Sequence, residues 1–126
     1  MGTLGEIVKP GFITVAPEDT LGEVAERMSA QNVGSVVVKD FGRLIGILTE
    51  RDMLRAMADR THPSQARVRE WMTTEPVTAS RDMPAQEAAG VMLEHNFRHL
   101  PVVEGERAIG IVSIRDVVEW LEKQRA

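Results

Sequence analysis

The chain contains the same sequence pattern twice, and the two copies are 64 residues apart. Aligned without a gap, residues 4 to 54 and residues 68 to 118 share thirteen identities, whereas unrelated segments of ordinary composition would share roughly three. Each copy is about half a domain and too small to bury a stable core alone. We therefore expect the copies to pack together as one globule, with any site present twice or lying between them. The identical pairs are Glu6/Glu70, Thr14/Thr78, Glu23/Glu87, Ala25/Ala89, Met28/Met92, Asn32/Asn96, Val38/Val102, Arg43/Arg107, Ile45/Ile109, Gly46/Gly110, Ile47/Ile111, Arg51/Arg115 and Asp52/Asp116.

The composition argues against nucleic acid as the main partner. The 126 residues are 43% hydrophobic, which is enough for one folded domain. Its 15 basic and 19 acidic residues give a net charge of −4, and no run of Lys and Arg provides the electrostatic footprint of a duplex binder. Aromatic residues make up only 4% of the chain, so stacking platforms for single-stranded nucleic acid are scarce.

The chain has no cysteine, which excludes a disulfide framework, thiol catalysis and Cys-ligated zinc. A reducing compartment is the natural environment for such a chain. No apolar stretch approaches the ~20 residues of a membrane span, and the N-terminus lacks a signal-peptide core. We expect a cytoplasmic protein, or the soluble part of something larger, without membrane contact.

The residue pattern of each copy predicts secondary structure in the order strand, helix, strand, strand, helix. In the first copy, Thr20 and Glu23 have the form of a capping box at the start of a helix. Two nearly continuous apolar runs around a glycine turn follow, which indicates a strand pair covered on both faces. The elements predicted for the first copy are a strand at 12–15, a helix at 20–32, strands at 35–39 and 44–48 and a helix from 49. Those predicted for the second copy are a short helical piece at 68–72, a strand near 77, a helix at 83–96, strands at 100–103 and 108–112 and a helix at 113–123.

The predicted fold class is therefore α/β, with two such motifs packed as one pseudo-two-fold globule. The first motif spans residues 4 to 58 and the second spans residues 68 to 122. The polar stretch between them, residues 59 to 67, contains a proline and is the predicted connector.

Each copy also places a glycine in an apolar strand and a hydroxyl at the start of the next helix, with an acid three residues later. The hydroxyl and acid are Thr49 and Asp52 in the first copy and Ser113 and Asp116 in the second. A helix N-terminus can hold a phosphate, and a carboxylate one turn in can accept hydrogen bonds from a ribose diol. The same pattern is also an ordinary helix start, in which the hydroxyl caps the helix and the acid complements its dipole. Taken alone, the pattern leaves both interpretations open.

The paired copies, the element order and the ending Gly-apolar-apolar-Thr/Ser-x-x-Asp resemble the cystathionine beta-synthase (CBS) domain, which is used in tandem as the Bateman module. The resemblance runs from about Leu4 to Leu121, and it includes Arg-His-Leu-Pro-Val-Val at residues 98 to 103. It implies a small regulatory module that binds adenosyl compounds, such as AMP, ATP, NAD or S-adenosylmethionine, in clefts between the two copies. It also implies disc-like dimers, which are common in the family.

The resemblance implies roles for individual residues as well. It makes Asp52 and Asp116 the ribose-binding acids, and it makes Thr49 and Ser113 ligands of phosphate or ribose. Backbone at the first strand of each copy would line the adenine pocket, at Ile13, Thr14, Val15 and Ala16 in the first copy and at Val77, Thr78 and Ala79 in the second.

Basic residues just before the second strand of the motif meet phosphates in many family members. In the second copy these residues are Arg98 and His99. The first copy has Gly34 and Ser35 at the same places, which departs from the basic pattern and argues against a phosphate clamp there. Without the resemblance, Arg98 and His99 would fit a solvated strand edge equally well.

The sequence offers little support for catalysis or metal binding. The histidines at 62, 95 and 99 form no Ser-His-acid arrangement, and a helix-to-strand transition separates His95 from His99. Trp120 fits either the core or an anchor in a dimer interface. Four methionines match predicted apolar faces and are expected to pack in the core: Met28, Met53, Met57 and Met92.

The function implied is a ligand-sensing regulatory module without enzymatic activity. Bound nucleotide would favour one relative orientation of the copies, which a partner or the dimer interface would read. No cofactor is obligatory, and an adenine nucleotide is the expected regulatory ligand. The other expected partners are a second copy of the chain and a regulated enzyme or transporter. The alternative is a structural interaction module that binds no small molecule.

Overall fold

The computed structural model describes residues 2 to 125. Each copy follows the order strand, helix, strand, strand, helix, which confirms the predicted α/β fold class, and each is preceded by a short helix. In chain order the elements are α1 (Leu4–Ile7), β1 (Thr14–Val15), α2 (Leu21–Gln31), β2 (Ser35–Asp40), β3 (Arg43–Thr49), α3 (Glu50–Ala58), α4 (Val68–Trp71), β4 (Thr73–Thr74), β5 (Ala79–Ser80), α5 (Ala85–His95), β6 (His99–Glu104), β7 (Arg107–Ser113) and α6 (Ile114–Gln124).

The chain forms two compact units whose limits differ from those of the repeat. Unit 1 comprises Met1–Gly11 and Val77–Ala126, and unit 2 comprises Phe12–Pro76. The short helix α1 therefore folds with the second copy, and its repeat equivalent α4 folds with the first. Each unit combines the strands and long helices of one copy with the short helix that precedes the other copy.

Unit 2 contains a four-stranded sheet in the order β1-β2-β3-β4. β1 pairs with β2 in parallel, and the other neighbours are antiparallel. The first four residues of β2, 35 to 38, are buried without alternation, as expected for a strand covered on both faces. The apolar face of α2 packs in this core through Leu21, Val24 and Met28.

Unit 1 contains a three-stranded sheet in the order β5-β6-β7. Its parallel pair has the register of unit 2, because Ala79 faces Val102 as Val15 faces Val38. No fourth strand is present among the described residues of this unit. Pro10 stands at the repeat position of Thr74 in β4, and proline has no N–H to donate to a ladder.

Local signals set the limits of α2. The Thr20 side chain accepts a hydrogen bond from the Glu23 backbone, and the Glu23 carboxylate accepts one from the Thr20 backbone, so the predicted capping box is present. The hydrogen bond from the Thr20 hydroxyl is the main cause that lowers the pKa of the Glu23 carboxyl. The helix ends at Asn32 with a left-handed φ of 54°, and α5 ends in the same way at Asn96 with a φ of 57°.

The long helices leave several apolar side chains exposed. Met28 and Met92 are buried and Met53 is partly buried, as predicted, but Met57 is 73% exposed, so its expected place in the core is wrong. It lies three residues after exposed Leu54 on α3, and the two side chains form an apolar surface. No helix among residues 2 to 125 is long and apolar enough to cross a membrane.

Gly46 lies where the backbone of a neighbouring segment approaches β3 closely. A Cβ atom at this position would lie 2.8 Å from the Thr73 carbonyl oxygen and 2.8 Å from the Met72 sulfur. Gly110 is under the same constraint, because a Cβ atom there would overlap the Val8 side chain. The repeated glycine therefore admits the segment that follows the short helix of each unit.

We predict that Gly46→Ala lowers the free energy of unfolding by about 1 to 3 kcal/mol, because the new methyl group would clash with a backbone carbonyl that cannot move without shifting the neighbouring segment. Gly90→Ala is the matched control, since a Cβ at this exposed position of α5 meets nothing within 4 Å. The control should raise stability by up to about 1 kcal/mol through helix propensity. Urea unfolding of both variants checks the prediction. Changes of the same sign in the free energy of unfolding of the two variants would contradict it.

Candidate functional site

The predicted hydroxyl and acid of the first copy form a capping box at the start of α3. The Thr49 backbone N–H donates to Asp52 Oδ2 at 2.8 Å, and the Thr49 hydroxyl donates to the same oxygen at 3.2 Å. The Asp52 backbone N–H donates to Thr49 Oγ1 at 3.4 Å. The capping role that the sequence pattern suggested is therefore present.

The second copy repeats this geometry at the start of α6. The Ser113 N–H donates to Asp116 Oδ2 at 3.0 Å, and the Asp116 N–H donates to Ser113 Oγ at 3.0 Å. These bonds fix the side chain of Asp116 on the first turn of a helix of eleven residues, where the helix dipole favours negative charge. The cap leaves the second carboxylate oxygen, Oδ1, outside these bonds.

The sheet register brings the predicted basic residues beside this helix start. His99 faces Ser113 across β6 and β7, and the Ile114 N–H donates to the Arg98 carbonyl at 2.8 Å. Arg98 is exposed, and His99 is half-buried. Four of the predicted ligand residues, Ser113, Asp116, Arg98 and His99, thus lie at one end of one sheet.

The first copy has the same backbone arrangement without the basic side chains. Ser35 faces Thr49 across β2 and β3, and the Glu50 N–H donates to the Gly34 carbonyl at 2.9 Å. Glycine and serine offer no cation to a phosphate at this place.

The two acids differ in their remaining contacts. Asp52 Oδ1 accepts a hydrogen bond from Arg55 Nη1 at 2.7 Å, and the Asp52 side chain is only 6% exposed. Asp116 Oδ1 lies 3.9 Å from Lys9 Nζ, which is longer than a hydrogen bond, and the Asp116 side chain is 28% exposed. Asp116 is therefore the more accessible of the two predicted ribose acids.

The predicted adenine-lining segments also differ. Ile13 and Val15 are buried in the core of unit 2, and the Ile13 carbonyl accepts the Val37 N–H at 3.0 Å. The Thr14 carbonyl accepts a hydrogen bond from Arg27 Nη1 at 3.2 Å. The first-copy segment thus has several groups committed to internal contacts.

In unit 1, Val77 and Thr78 of the corresponding segment are accessible, whereas Ala79 is buried. Val77 is 40% exposed and Thr78 is exposed, because β5 begins only at Ala79. The structure therefore places Val77 and Thr78 just before the strand that pairs with β6, on the side of His99.

Two residues that contact the predicted acids were not identified by sequence reasoning. Arg55 is three residues after Asp52, and this spacing on a helix could have indicated the contact. Lys9 is more than a hundred residues before Asp116, and no local spacing in the sequence predicts that they meet.

Other candidate residues lie in ordinary surroundings. Within residues 2 to 125, no group of three or more His, Asp and Glu residues could hold a metal ion. The ring of His95 stacks on Phe97, and His62 Nδ1 lies 2.7 Å from Ser64 Oγ in an exposed turn. Trp120 packs against the core of unit 1 and against Gly2, which favours the core role over an anchor.

Comparison with known proteins gives the family. The model of the CBS domain matches residues 4–59 and again residues 68–123. The chain belongs to the CBS domain family. It is 32% identical over 117 residues to the CBS domain-containing protein YhcV of Bacillus subtilis (strain 168), covering 93% of this chain and 84% of that protein.

Solved structures with CBS domains share the fold. A putative signal-transduction protein with CBS domains from Burkholderia ambifaria MC40-6 matches with a TM-score of 0.91 and 30% identity, over 98% of this chain and 96% of that chain. The CBS domain pair of protein MJ0100, in complex with 5′-methylthioadenosine and S-adenosyl-L-methionine, matches with a TM-score of 0.89 and 27% identity, over 98% of both chains. CBS domain protein PAE2072 from Pyrobaculum aerophilum, complexed with AMP, matches with a TM-score of 0.85 and 29% identity, over 98% of this chain and 99% of that chain.

Proposed function

We propose that this protein is a regulatory module that binds an adenosine-containing nucleotide at the start of α6. The capped but accessible carboxylate of Asp116 beside Arg98 is the observation that carries the proposal. Two CBS neighbours of known structure, with 27% and 29% identity, hold adenosyl ligands, which supports the choice of ligand class.

Each predicted residue has a role in this proposal. Asp116 Oδ1 accepts hydrogen bonds from the ribose diol, while Oδ2 stays in the helix cap with Ser113. Arg98 and His99 meet the phosphate, and the exposed segment at Val77 and Thr78 contacts adenine. A phosphate near the start of α6 also gains from the helix dipole.

The ligand acts by shifting a conformational equilibrium rather than by entering a reaction. A ligand can shift such an equilibrium only as far as its affinities for the two states differ. In this proposal the protein has no enzymatic activity and no obligatory cofactor, works in the cytoplasm, and passes the signal to a regulated enzyme or transporter.

Mass spectrometry of small molecules released from the denatured, freshly purified protein tests the ligand class. We expect an adenosyl compound in the released fraction, or a rise in the melting temperature when AMP, ADP, ATP, NAD or S-adenosylmethionine is added. If neither is observed, the interaction module without a small-molecule ligand becomes the better account.

Self-association is the second part of the proposal. Leu54 and Met57 on α3, Leu93 on α5 and Val118 on α6 are between 48% and 74% exposed. Apolar surface of this kind commonly marks a protein interface. We predict a homodimer, for which light scattering should give twice the chain mass of 14.0 kDa. A monomer mass at micromolar and higher concentrations would contradict this prediction.

A further inference from the structure

Both carboxylate oxygens of Asp52 are already occupied by groups of the protein. Oδ2 accepts hydrogen bonds from the backbone and the hydroxyl of Thr49, and Oδ1 accepts one from Arg55 Nη1 at 2.7 Å. A hydrogen bond between a guanidinium and a carboxylate is roughly twice as strong as a neutral one. A ribose diol that approached Asp52 would therefore have to displace the guanidinium of Arg55.

A second contact helps to hold Arg55 in this position. Its guanidinium carbon lies 5.6 Å from the centre of the Trp71 ring, within the range of a cation–π interaction. The arginine is thus attached to the carboxylate on one side and to the aromatic ring on the other. Both partners belong to unit 2, so the cluster of Asp52, Arg55 and Trp71 is internal to that unit.

The second copy has neither element of this cluster. The repeat equivalents of Arg55 and Trp71 are Glu119 and Ile7, and Glu119 accepts a hydrogen bond from Arg115 instead. Asp116 Oδ1 instead lies 3.9 Å from Lys9 Nζ, whose side chain is 75% exposed. An exposed pair at this distance contributes little, so a diol can replace it readily.

We propose that Arg55 is a specificity-determining residue that withholds Asp52 from ribose, so that each chain binds one adenosyl ligand, at Asp116. This inference rests on the proposed function and adds the residue that makes the two repeated acids unequal. The lack of a basic pair at Gly34 and Ser35 weakens phosphate binding in the first copy, whereas Arg55 acts against the ribose itself. The two effects are therefore separable with a ligand that has no phosphate.

Calorimetric titration of the full chain with adenosine and with AMP tests the inference. Arg55→Met keeps an aliphatic stem beside Trp71 and removes the donor to Asp52 Oδ1, while the Thr49 donors to Oδ2 remain. The wild type should bind one ligand per chain, and the variant should bind two. Arg115→Met is the matched control, because it removes an arginine from the equivalent region of α6 and breaks only the exposed bond to Glu119. The control should still bind one ligand per chain.

A second substitution ties the new site to Asp52. Adding Asp52→Ala to Arg55→Met should return the number of ligands from two to one. Arg55→Leu, which also lacks a donor, serves as an alternative if Arg55→Met lowers the melting temperature below that of the titration, and the same gain of a site is expected. Two ligands per wild-type chain, or one ligand for both folded Arg55 variants, would overturn the role of Arg55. Absence of binding to every form of the protein, the wild type included, would overturn the proposed function with it.

Discussion

Asp116→Ala should weaken AMP binding more than tenfold, because the ribose diol loses a charged hydrogen-bond acceptor worth about 1.5 to 3 kcal/mol. Asp116 is suited to this role since its Oδ1 lies outside the helix cap and its side chain is 28% exposed. Isothermal titration of the variant with AMP measures the loss. Ser113 can still cap α6, so the fold should survive the substitution.

Asp52→Ala is the matched control for this experiment. The two acids have the same place in the repeat and the same capping bonds, but Asp52 Oδ1 is bound by Arg55. The control should leave AMP affinity within about twofold of the wild type. It should lower stability more than Asp116→Ala does, because it also removes the acceptor of the hydrogen bond from Arg55. Equal loss of AMP affinity in the two variants would contradict the unequal roles of the two acids.

Arg98→Ala should lower the affinity for AMP about tenfold or more while leaving the affinity for adenosine nearly unchanged. A charge-assisted hydrogen bond from Arg98 stabilises a bound phosphate by roughly 1.5 to 3 kcal/mol. Adenosine has no phosphate, so the substitution removes no such bond from its complex. The exposed Arg98 side chain is on the strand end that faces Ser113. Titrations with both ligands at two salt concentrations measure how much affinity each ligand loses in the variant. Added salt should reduce the difference between the two losses.

Arg69→Ala removes the same charge from the exposed pair with Glu18 and controls for the change in net charge. This control should change the affinities for AMP and for adenosine only slightly and to the same extent. Equal losses for both ligands in Arg98→Ala would mean that Arg98 supports the fold rather than the phosphate. Two sites of equal AMP affinity in the wild type would refute the asymmetry itself.

Signals that act within a few residues made most of the fold predictable. The pattern of Thr20 with Glu23 predicted the start of α2, and the glycine turn between two apolar runs predicted the β2–β3 hairpin. Both features depend on neighbours in the chain. The repeat then gave the same elements for the second copy, because equal sequence patterns favour equal local structure.

The association of the short helices was not predictable in the same way. The sequence indicated a helical piece at 68 to 72 but gave a strand near Phe12 as the first element, so α1 was missed. The exchange of α1 and α4 between the units depends on contacts across a large sequence separation, such as the Leu4 N–H donating to the Met83 carbonyl at 2.9 Å. Periodicity within one segment carries no information on such pairing.

The candidate site was predictable in its residues and in the difference between Arg98 and His99 in one copy and Gly34 and Ser35 in the other, but not in the unequal contacts of its two acids. The repeated motif pointed to Thr49, Asp52, Ser113 and Asp116, and the geometry brings each pair together as a capping box. Their role in ligand binding stays a prediction. The unequal contacts of the two acids arise outside the motif, from Arg55 on the next turn and from Lys9 in a distant segment.

Isothermal titration of the wild-type chain with AMP, ATP, NAD and S-adenosylmethionine tests the central claim most directly. We predict saturable binding of at least one of these compounds, with one ligand per chain. Absence of binding heat and of any change in melting temperature with all four compounds, for protein that is folded and free of copurified ligand, would contradict it.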